Sequence, residues 1–268
     1  MSTFDYSKVK NPEYFQENRL PAHSDHGFYA DELEAESGKS SFRYSLNGLW
    51  KFAYAPNYSS SQKNFYELDF SCKCWADIRV PAHIQMEGYD IPQYVNVQYP
   101  WDGREQIEPG EIPEQFNPVA QYVRYVTLPE NMQEKPVFIS FQGVESALAL
   151  WCNGQFVGYS EDSFTPAEFE LTPYLHKGEN KLAVCVFKWC SGSWCEDQDF
   201  FRFSGIFRDV YLYTIPEIHI RDMKVQTLLE DDYQQAELVL DMEATKAGKV
   251  DIRLFREKSG KTAEISGE

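Results

Sequence analysis

The chain has 268 residues, of which 43% are hydrophobic and 16% aromatic, enough for a folded core of one large domain or of one domain and part of another. Acidic residues outnumber basic residues by 42 to 25, which gives a formal net charge of -17 and leaves no Lys/Arg cluster to bind phosphates. This charge balance argues against nucleic acid and anionic membrane as partners. No stretch approaches the roughly 20 apolar residues of a membrane span, and the amino-terminal residues are polar. The sequence therefore predicts a cytoplasmic protein.

The first 40 residues are polar and contain few candidate core residues. From residue 41 onward, short apolar or alternating runs are bounded by Gly, Pro, Asn or Asp, which is typical of an all-β sandwich. Two of these runs meet at Asn153-Gly154, a dipeptide that strongly favours a two-residue hairpin. The predicted strands lie in "SLNGLWKFAY", "AQYVRYVTLP", "PVFISFQGVESALALWCNGQFVGYSE", "NKLAVCVFKW" and "RDVYLYTIP". After Pro216 the sequence predicts three or four plain strands with charged turns.

The cysteines are expected to be free thiols, because a cytoplasmic protein is kept reduced. The Cys72-Lys73-Cys74 stretch and the spacing from Cys190 to Cys195 do not reproduce the paired C-x-x-C spacing of structural zinc sites. The remaining two cysteines are Cys152 and Cys185. The sequence therefore predicts neither disulfides nor zinc.

Two long loops contain most of the proline, glycine and acidic residues, and long loops inside a compact domain tend to be functional. One loop contains "VPAHIQMEGYDIPQYVNVQYPW" and the other "CSGSWCEDQDFFRFSG". The second loop places Glu196, Asp197 and Asp199 directly before Phe200 and Phe201, which we expect in the core together with Phe203 and Phe207. If this loop is extended, Asp197 and Asp199 share a face and Glu196 points the other way.

The loops, together with "NPEYFQENRLPAHS", "SLNGLWKFAY", "GVESALALWCNGQFVGYSEDSFTPAEFELTPYLHKGENKLAVCVFKW" and "EDQDFFRFSGIFRDVYLY", carry a resemblance that covers residues 10–216. These segments resemble the amino-terminal part of the bacterial β-galactosidases of glycoside hydrolase family 2. The resemblance implies an arm at residues 1–40 that helps to assemble an oligomer, and a jelly-roll (galactose-binding-like) β-sandwich at 41–216. Residues 217–268 would begin an immunoglobulin-like β-sandwich, and the catalytic barrel would be absent.

The implied function is that of the sugar-binding portion of a retaining β-galactosidase, which hydrolyses terminal β-D-galactosides such as lactose. Both catalytic carboxyl groups of such an enzyme come from the barrel, so no catalytic residue is expected here and the chain alone is expected to be inactive. The implied partners are the β-galactoside, the remaining catalytic portion of the same protein and further copies in a homo-oligomer.

The resemblance assigns Asp199 a contact with the galactosyl group and a bond to an active-site sodium ion, which suits a hard oxygen ligand. It places Asn96 in a loop on the substrate side, where an amide can donate to and accept from sugar hydroxyls. Trp101 is a weaker candidate for stacking on the second sugar. Sodium and magnesium are expected in the complete enzyme, and neither is expected to bind this chain alone tightly. Glu196 and Asp197 are expected to satisfy backbone donors, Arg202 or Arg208.

Other interpretations remain open for the sequence. The jelly roll could be a stand-alone carbohydrate-binding module, or Asp197 and Asp199 could be a catalytic pair of their own, although no surrounding barrel is present. Asn96 could cap a turn and Asp199 could be a structural carboxylate bonded to backbone N–H groups. The first 40 residues could be a disordered tail.

Overall fold

The computed structural model describes residues 4–196, 198–255 and 262–266, and these residues are almost entirely in strands and loops. The strands, numbered in chain order, are β1 (Gln16–Glu17), β2 (Arg43–Ser45), β3 (Gly48–Ala55), β4 (Ala76–Val80), β5 (Gln93–Val95), β6 (Val119–Thr127), β7 (Phe138–Phe141), β8 (Val144–Glu145), β9 (Ala147–Cys152), β10 (Gln155–Ser160), β11 (Ala167–Glu170), β12 (Glu179–Phe187), β13 (Phe200–Arg202), β14 (Gly205–Ile206), β15 (Val210–Tyr213), β16 (Ile220–Leu229), β17 (Ala236–Ala244), β18 (Asp251–Phe255) and β19 (Thr262–Ser266). The helix α1 spans Glu32–Ser37, and short 3₁₀ turns span Tyr6–Lys10, Tyr58–Ser60, Ile84–Glu87, Glu130–Met132, Thr172–Tyr174 and Ser191–Trp194.

Two antiparallel sheets form a β-sandwich. The larger sheet has seven strands in the order β1-β10-β9-β12-β6-β3-β4, and the smaller has four in the order β11-β7-β15-β2. The main core lies between them and includes Trp50, Phe52 and Phe141. The all-β sandwich predicted from the sequence is confirmed.

The central strands of the larger sheet are buried on both faces, which explains why they are continuously apolar instead of alternating. In β12, Leu182 and Val184 face the core between the sheets, whereas Ala183 and Cys185 face a second core on the outer side. At the predicted hairpin between β9 and β10, Asn153 and Gly154 have φ angles of 50° and 79°. Positive φ at both turn residues is the type I′ geometry that suits a tight hairpin.

The amino-terminal segment covers the outer face of the larger sheet. Val9 is fully buried there, Tyr6 and Tyr14 pack around it, and β1 pairs with β10 at the edge of the sheet. Lys8 forms an ion pair of 2.7 Å with Glu17. The interpretation of this segment as a disordered tail is therefore wrong for residues 4–22, because tertiary packing holds a stretch with few apolar residues.

The chain divides into two compact units. One runs up to Ala22 and from Phe28 to Thr214, and the other consists of His23–Gly27 and the chain from Ile215 onward. In the second unit β16 pairs with β17 and β18 pairs with β19. The backbone N–H of Ser24 donates to Asp222 at 2.8 Å, which ties His23–Gly27 to β16.

The six cysteines are free thiols. Four of them are buried, and burial raises the pKa of the Cys152 thiol to about 12. Among the residues that the structure describes, none of the helices has the length and apolar character needed to cross a membrane.

Candidate functional site

The two long loops meet in a two-stranded antiparallel ribbon. Strand β5 of the first loop pairs with β13 of the second, with Val95 opposite Phe200 and Tyr94 opposite Phe201. Asn96 directly follows β5 and Asp199 directly precedes β13. The same register therefore places Asn96 and Asp199 side by side at one end of the ribbon, which we call the tip.

Tyr94 connects these two residues at the tip. Its hydroxyl donates a short hydrogen bond to Oδ1 of Asp199. This bond, followed by desolvation and the charge of Asp199, raises the pKa of Tyr94 above its usual value, and the nearby Asn96 amide opposes part of the shift. Tyr94, Asn96 and Asp199 are all exposed, so the tip presents a phenol, an amide and a carboxylate to solvent.

The backbone at Asp199 is left-handed, with φ at 55°. The expectation of an extended acidic loop is therefore wrong at this residue, because a left-handed residue turns the chain immediately before β13. The 3₁₀ turn at Ser191–Trp194 bends the loop a few residues earlier. Asp197, for which the sequence predicts the same face as Asp199, lies outside the described residues.

The aromatic residues of the loop are not core residues. Phe200 is 45% exposed and Phe201 is 53% exposed, which contradicts the expectation. Trp101, in contrast, is only 2% exposed, packed against Trp194 with ring centroids 4.9 Å apart, and so cannot stack on a sugar. The indole N–H of Trp194 donates to the Glu111 carbonyl at 2.7 Å. The tryptophans therefore fix the loops, and the phenylalanines form part of the exposed surface.

The two arginines near the acidic residues bind main-chain carbonyls. Arg202 is buried and donates to the carbonyl of Glu196 at 2.8 Å. Arg208 donates to the carbonyl of Phe164 at 3.1 Å. The carboxylate of Glu196 accepts from the Ser163 hydroxyl at 3.3 Å. Arg202 thus holds the bend of the loop before Asp199.

A buried carboxylate lies beneath the acidic loop. Glu161 accepts hydrogen bonds from the Tyr159 hydroxyl at 2.8 Å, from the Ser191 hydroxyl at 3.0 Å and from the Gly192 N–H at 3.0 Å. Burial raises the pKa of Glu161 above its usual value, although these donors, which favour the charged form, oppose the shift. Glu161 therefore anchors the first residues of the loop that ends at Asp199.

Replacing Glu161 by Gln is expected to change how stability depends on pH. An acid with a raised pKa in the folded state opposes folding once the unfolded chain ionises, so wild type loses stability relative to the variant as pH rises from about 4 to about 7. The difference between the two urea unfolding free energies, measured across this range, checks the prediction. Burial raises the pKa values of the nearby Tyr159 and Cys190 well above their usual values, so both groups stay protonated across this range in both proteins. A difference that stays constant or changes in the opposite direction would contradict it.

The sequence reasoning missed Tyr94. The available signal was its position two residues before Asn96, because residues two apart on a strand share a face. The pairing partner of that strand could not be inferred, since β5 and β13 are separated by about a hundred residues.

The tip contains oxygen donors that suit a hard cation. Carboxylate, amide and hydroxyl oxygens meet there, and such a set fits sodium as part of a coordination shell that other groups complete. Across residues 4–196, 198–255 and 262–266, no group of three or more His, Cys, Asp or Glu side chains could hold a metal ion.

A β-sandwich that presents a carboxylate, an amide, a phenol and exposed aromatic faces at one edge has groups suited to a sugar, because sugars combine hydroxyl groups with apolar faces. The chain is a member of glycosyl hydrolases family 2, whose sugar binding domain matches residues 42–216.

Curated relatives agree with this assignment. The chain is 55% identical over 252 residues to a β-galactosidase of Halalkalibacterium halodurans, with 94% of the chain and 25% of the relative covered. It is 47% identical to a β-galactosidase of Clostridium acetobutylicum, covering 96% of the chain and 29% of the relative. It is 43% identical to the β-galactosidase large subunit of Lactobacillus helveticus, covering 90% of the chain and 40% of the relative. The chain therefore spans about a quarter to two fifths of the length of these relatives.

Solved structures with the same fold include glycosidases. A β-glucuronidase from an uncultured Clostridium species has a TM-score of 0.59 at 21% identity, with 91% of this chain and 40% of that chain covered. A Ruminococcus gnavus β-glucuronidase has a TM-score of 0.61 at 16% identity, with 92% of this chain and 39% of that chain covered. At these identities the similarity establishes the fold.

Proposed function

We propose that the chain acts as the amino-terminal sugar-binding portion of a retaining β-galactosidase that hydrolyses terminal β-D-galactosides such as lactose. The observation that carries this proposal is the ribbon, which brings Asn96, Asp199 and Tyr94 together at one exposed tip. In this function the tip forms one wall of the active site. The two carboxyl groups that a retaining glycosidase needs about 5 to 5.5 Å apart come from a catalytic barrel outside this chain.

The residues of the tip bind and orient the sugar. The Asn96 amide can both donate to and accept from hydroxyl groups, and the Asp199 carboxylate accepts from them. The Tyr94 hydroxyl already donates to Asp199, so it fixes the carboxylate in one orientation. We assign Asp199 as a sodium ligand shared with the rest of the enzyme, and the bound cation would supply positive charge to hold a sugar hydroxyl.

Strands β5 and β13 and the chain segments next to them carry several exposed apolar side chains. These side chains include Met86, Ile91, Tyr94, Val97, Phe200 and Phe201. We propose that the remaining catalytic portion covers them, so that water is displaced from the tip when the active site is complete. The assembled protein is proposed to be a homo-oligomer. Its location is proposed to be the cytoplasm, where the six free thiols would stay reduced.

The proposal also includes the domain organisation. Residues 1–40 form the arm, 41–216 the jelly-roll sugar-binding domain, and 217–268 an incomplete immunoglobulin-like domain. The division of the chain near Thr214 supports the second of these boundaries.

A chimeric enzyme tests the function. The chain replaces the matching segment of the Halalkalibacterium halodurans relative, and hydrolysis of a chromogenic β-galactoside is measured beside the chain alone. We expect the chimera to be active and the chain alone to be inactive, with a dissociation constant for galactose of about a millimolar or weaker, because two or three exchanged hydrogen bonds barely offset the cost of association. An inactive but folded chimera would contradict the proposal. Micromolar binding by the chain alone would favour a stand-alone carbohydrate-binding module.

A further inference from the structure

A buried ion pair lies at the end of the ribbon opposite the tip, which we call the base. The side chain of Lys188 is 0% exposed and that of Asp90 is 4% exposed, and the ammonium group donates a short hydrogen bond to Oδ2 of Asp90. Gln85 donates to the same oxygen at 3.0 Å and to the Ser204 hydroxyl at 2.9 Å. The backbone N–H of Ser204 donates back to the Gln85 side chain at 3.0 Å.

These four residues connect both strands of the ribbon to the sandwich. Asp90 lies three residues before β5 begins at Gln93, and Ser204 lies two residues after β13 ends at Arg202. Lys188 directly follows β12, a central strand of the larger sheet. The network therefore connects the base of the ribbon to the centre of the larger sheet, while Asn96 and Asp199 occupy the tip.

A small tilt at the base becomes a large displacement at the tip. Six residues separate Asp90 from Asn96, which corresponds to at most about 20 Å of extended chain. Over that length a tilt of about 5° would move the tip by at most about 1.7 Å, and a misplacement of about 1 Å can lower an enzymatic rate a hundredfold. The orientation of the base therefore matters more for the site than for the sandwich.

Stability is a poor explanation for this pair. Burying both charges requires their removal from water, and well-packed apolar residues in place of a buried ion pair are often neutral or stabilising. Burial lowers the pKa of the Lys188 ammonium group, although the charge of Asp90 opposes that shift. The ammonium group also lies 5.1 Å from the centre of the Trp189 ring. Such a pair provides directional bonds that an apolar contact lacks.

We propose that Lys188 and Asp90 are positioning residues, which together with Gln85 and Ser204 set the tilt of the ribbon and so the location of Asn96 and Asp199. The inference rests on the proposed function where it treats the tip as the sugar-binding end. The part of the inference that concerns the orientation of the ribbon does not depend on the proposed function.

The test uses the double variant Lys188→Met with Asp90→Asn in the 268-residue chain, because removing both charges leaves no buried charge unpaired. Backbone NMR order parameters of Tyr94 and Phe201 are expected to fall from about 0.85 in wild type to below about 0.6, while those of β6 and β12 stay near 0.85. Asp90→Asn alone is the second variant, which is used if the double variant fails to fold. Its amide oxygen can still accept the hydrogen bond from Gln85. Unchanged order parameters in the ribbon, or an equal fall throughout the sandwich, would overturn the proposal.

Lys181→Met is the matched control, since Lys181 is also a buried lysine and lies in β12. Its ammonium group donates to the carbonyls of Glu67 and Phe70, outside the ribbon. We expect this control to leave the order parameters of Tyr94 and Phe201 unchanged, and a fall in them would overturn the specific role of Lys188. In the complete enzyme the double variant is expected to lower kcat/KM at least about tenfold. A loosened ribbon with unchanged kcat/KM would also overturn the positioning role, whereas an inactive wild-type enzyme would contradict only the proposed function.

Discussion

Asp199→Asn is expected to lower the turnover of the complete enzyme by about a hundredfold or more while leaving the fold intact. The substitution removes the charge that would bind sodium and weakens a polar contact with the sugar. It keeps the shape of the side chain, and Asn tolerates the left-handed φ of 55° better than Ala does. The loss of activity should therefore report the chemistry of the carboxylate and not backbone strain.

The measurement is kcat and KM for a chromogenic β-galactoside over a range of sodium concentrations, beside a thermal unfolding curve. Tyr94→Phe is a matched control that removes the hydroxyl donor and keeps the carboxylate. Asn96→Ala removes one or two hydrogen bonds without a charge, and it is expected to weaken transition-state binding by about 1 to 3 kcal/mol. Kinetics of Asp199→Asn within a factor of two of wild type at every sodium concentration would contradict the assignment.

The sandwich could be predicted from the sequence because its signals are local. Turn residues bound each strand, and Asn153-Gly154 specifies its hairpin through the φ angles that these two residues accept. The strand β12 is apolar on both faces because two cores cover it, so it was recognisable as a buried strand even without alternation.

The site could be predicted only in part, because its arrangement depends on contacts between distant segments. Asn96 and Asp199 came from a resemblance between motifs, whereas Tyr94 joins them only through the register of β5 with β13. The phenylalanines of β13 were expected in the core because aromatic runs usually pack inside. Strands β5 and β13 form a two-stranded ribbon outside both sheets of the sandwich, and Phe200 and Phe201 are exposed there.

The packing of the amino-terminal segment could also not be predicted from local sequence signals. Val9 is fully buried, although its sequence neighbours are polar, because the outer face of the larger sheet supplies the apolar surface. A polar segment with few apolar residues has no periodic pattern, so only the tertiary structure reveals that it is folded.

Gly158→Ala is expected to destabilise the protein by about 3 kcal/mol, because the site has no room for a methyl group. A Cβ atom at this position would lie 2.5 Å from the Glu17 carbonyl oxygen and 2.6 Å from the ring of Phe169. Glu17 belongs to β1 at the edge of the larger sheet, and Phe169 is a fully buried residue of β11 in the smaller sheet. The new side chain must therefore push an edge strand outward or displace a core ring.

The edge strand is the easier of the two to move, since β1 has only two residues and one neighbouring strand. We therefore expect the arm to loosen in Gly158→Ala, with faster proteolysis between residues 11 and 22, and the melting temperature to fall by about 6 to 12 °C. Gly248→Ala is the matched control, because no heavy atom beyond its two chain neighbours lies within 4 Å of its Cβ position, and its effect is expected to stay within about 0.5 kcal/mol. If both variants unfold at the wild-type temperature and the arm resists proteolysis, then β1 does not pack against Gly158 as closely as the structure indicates.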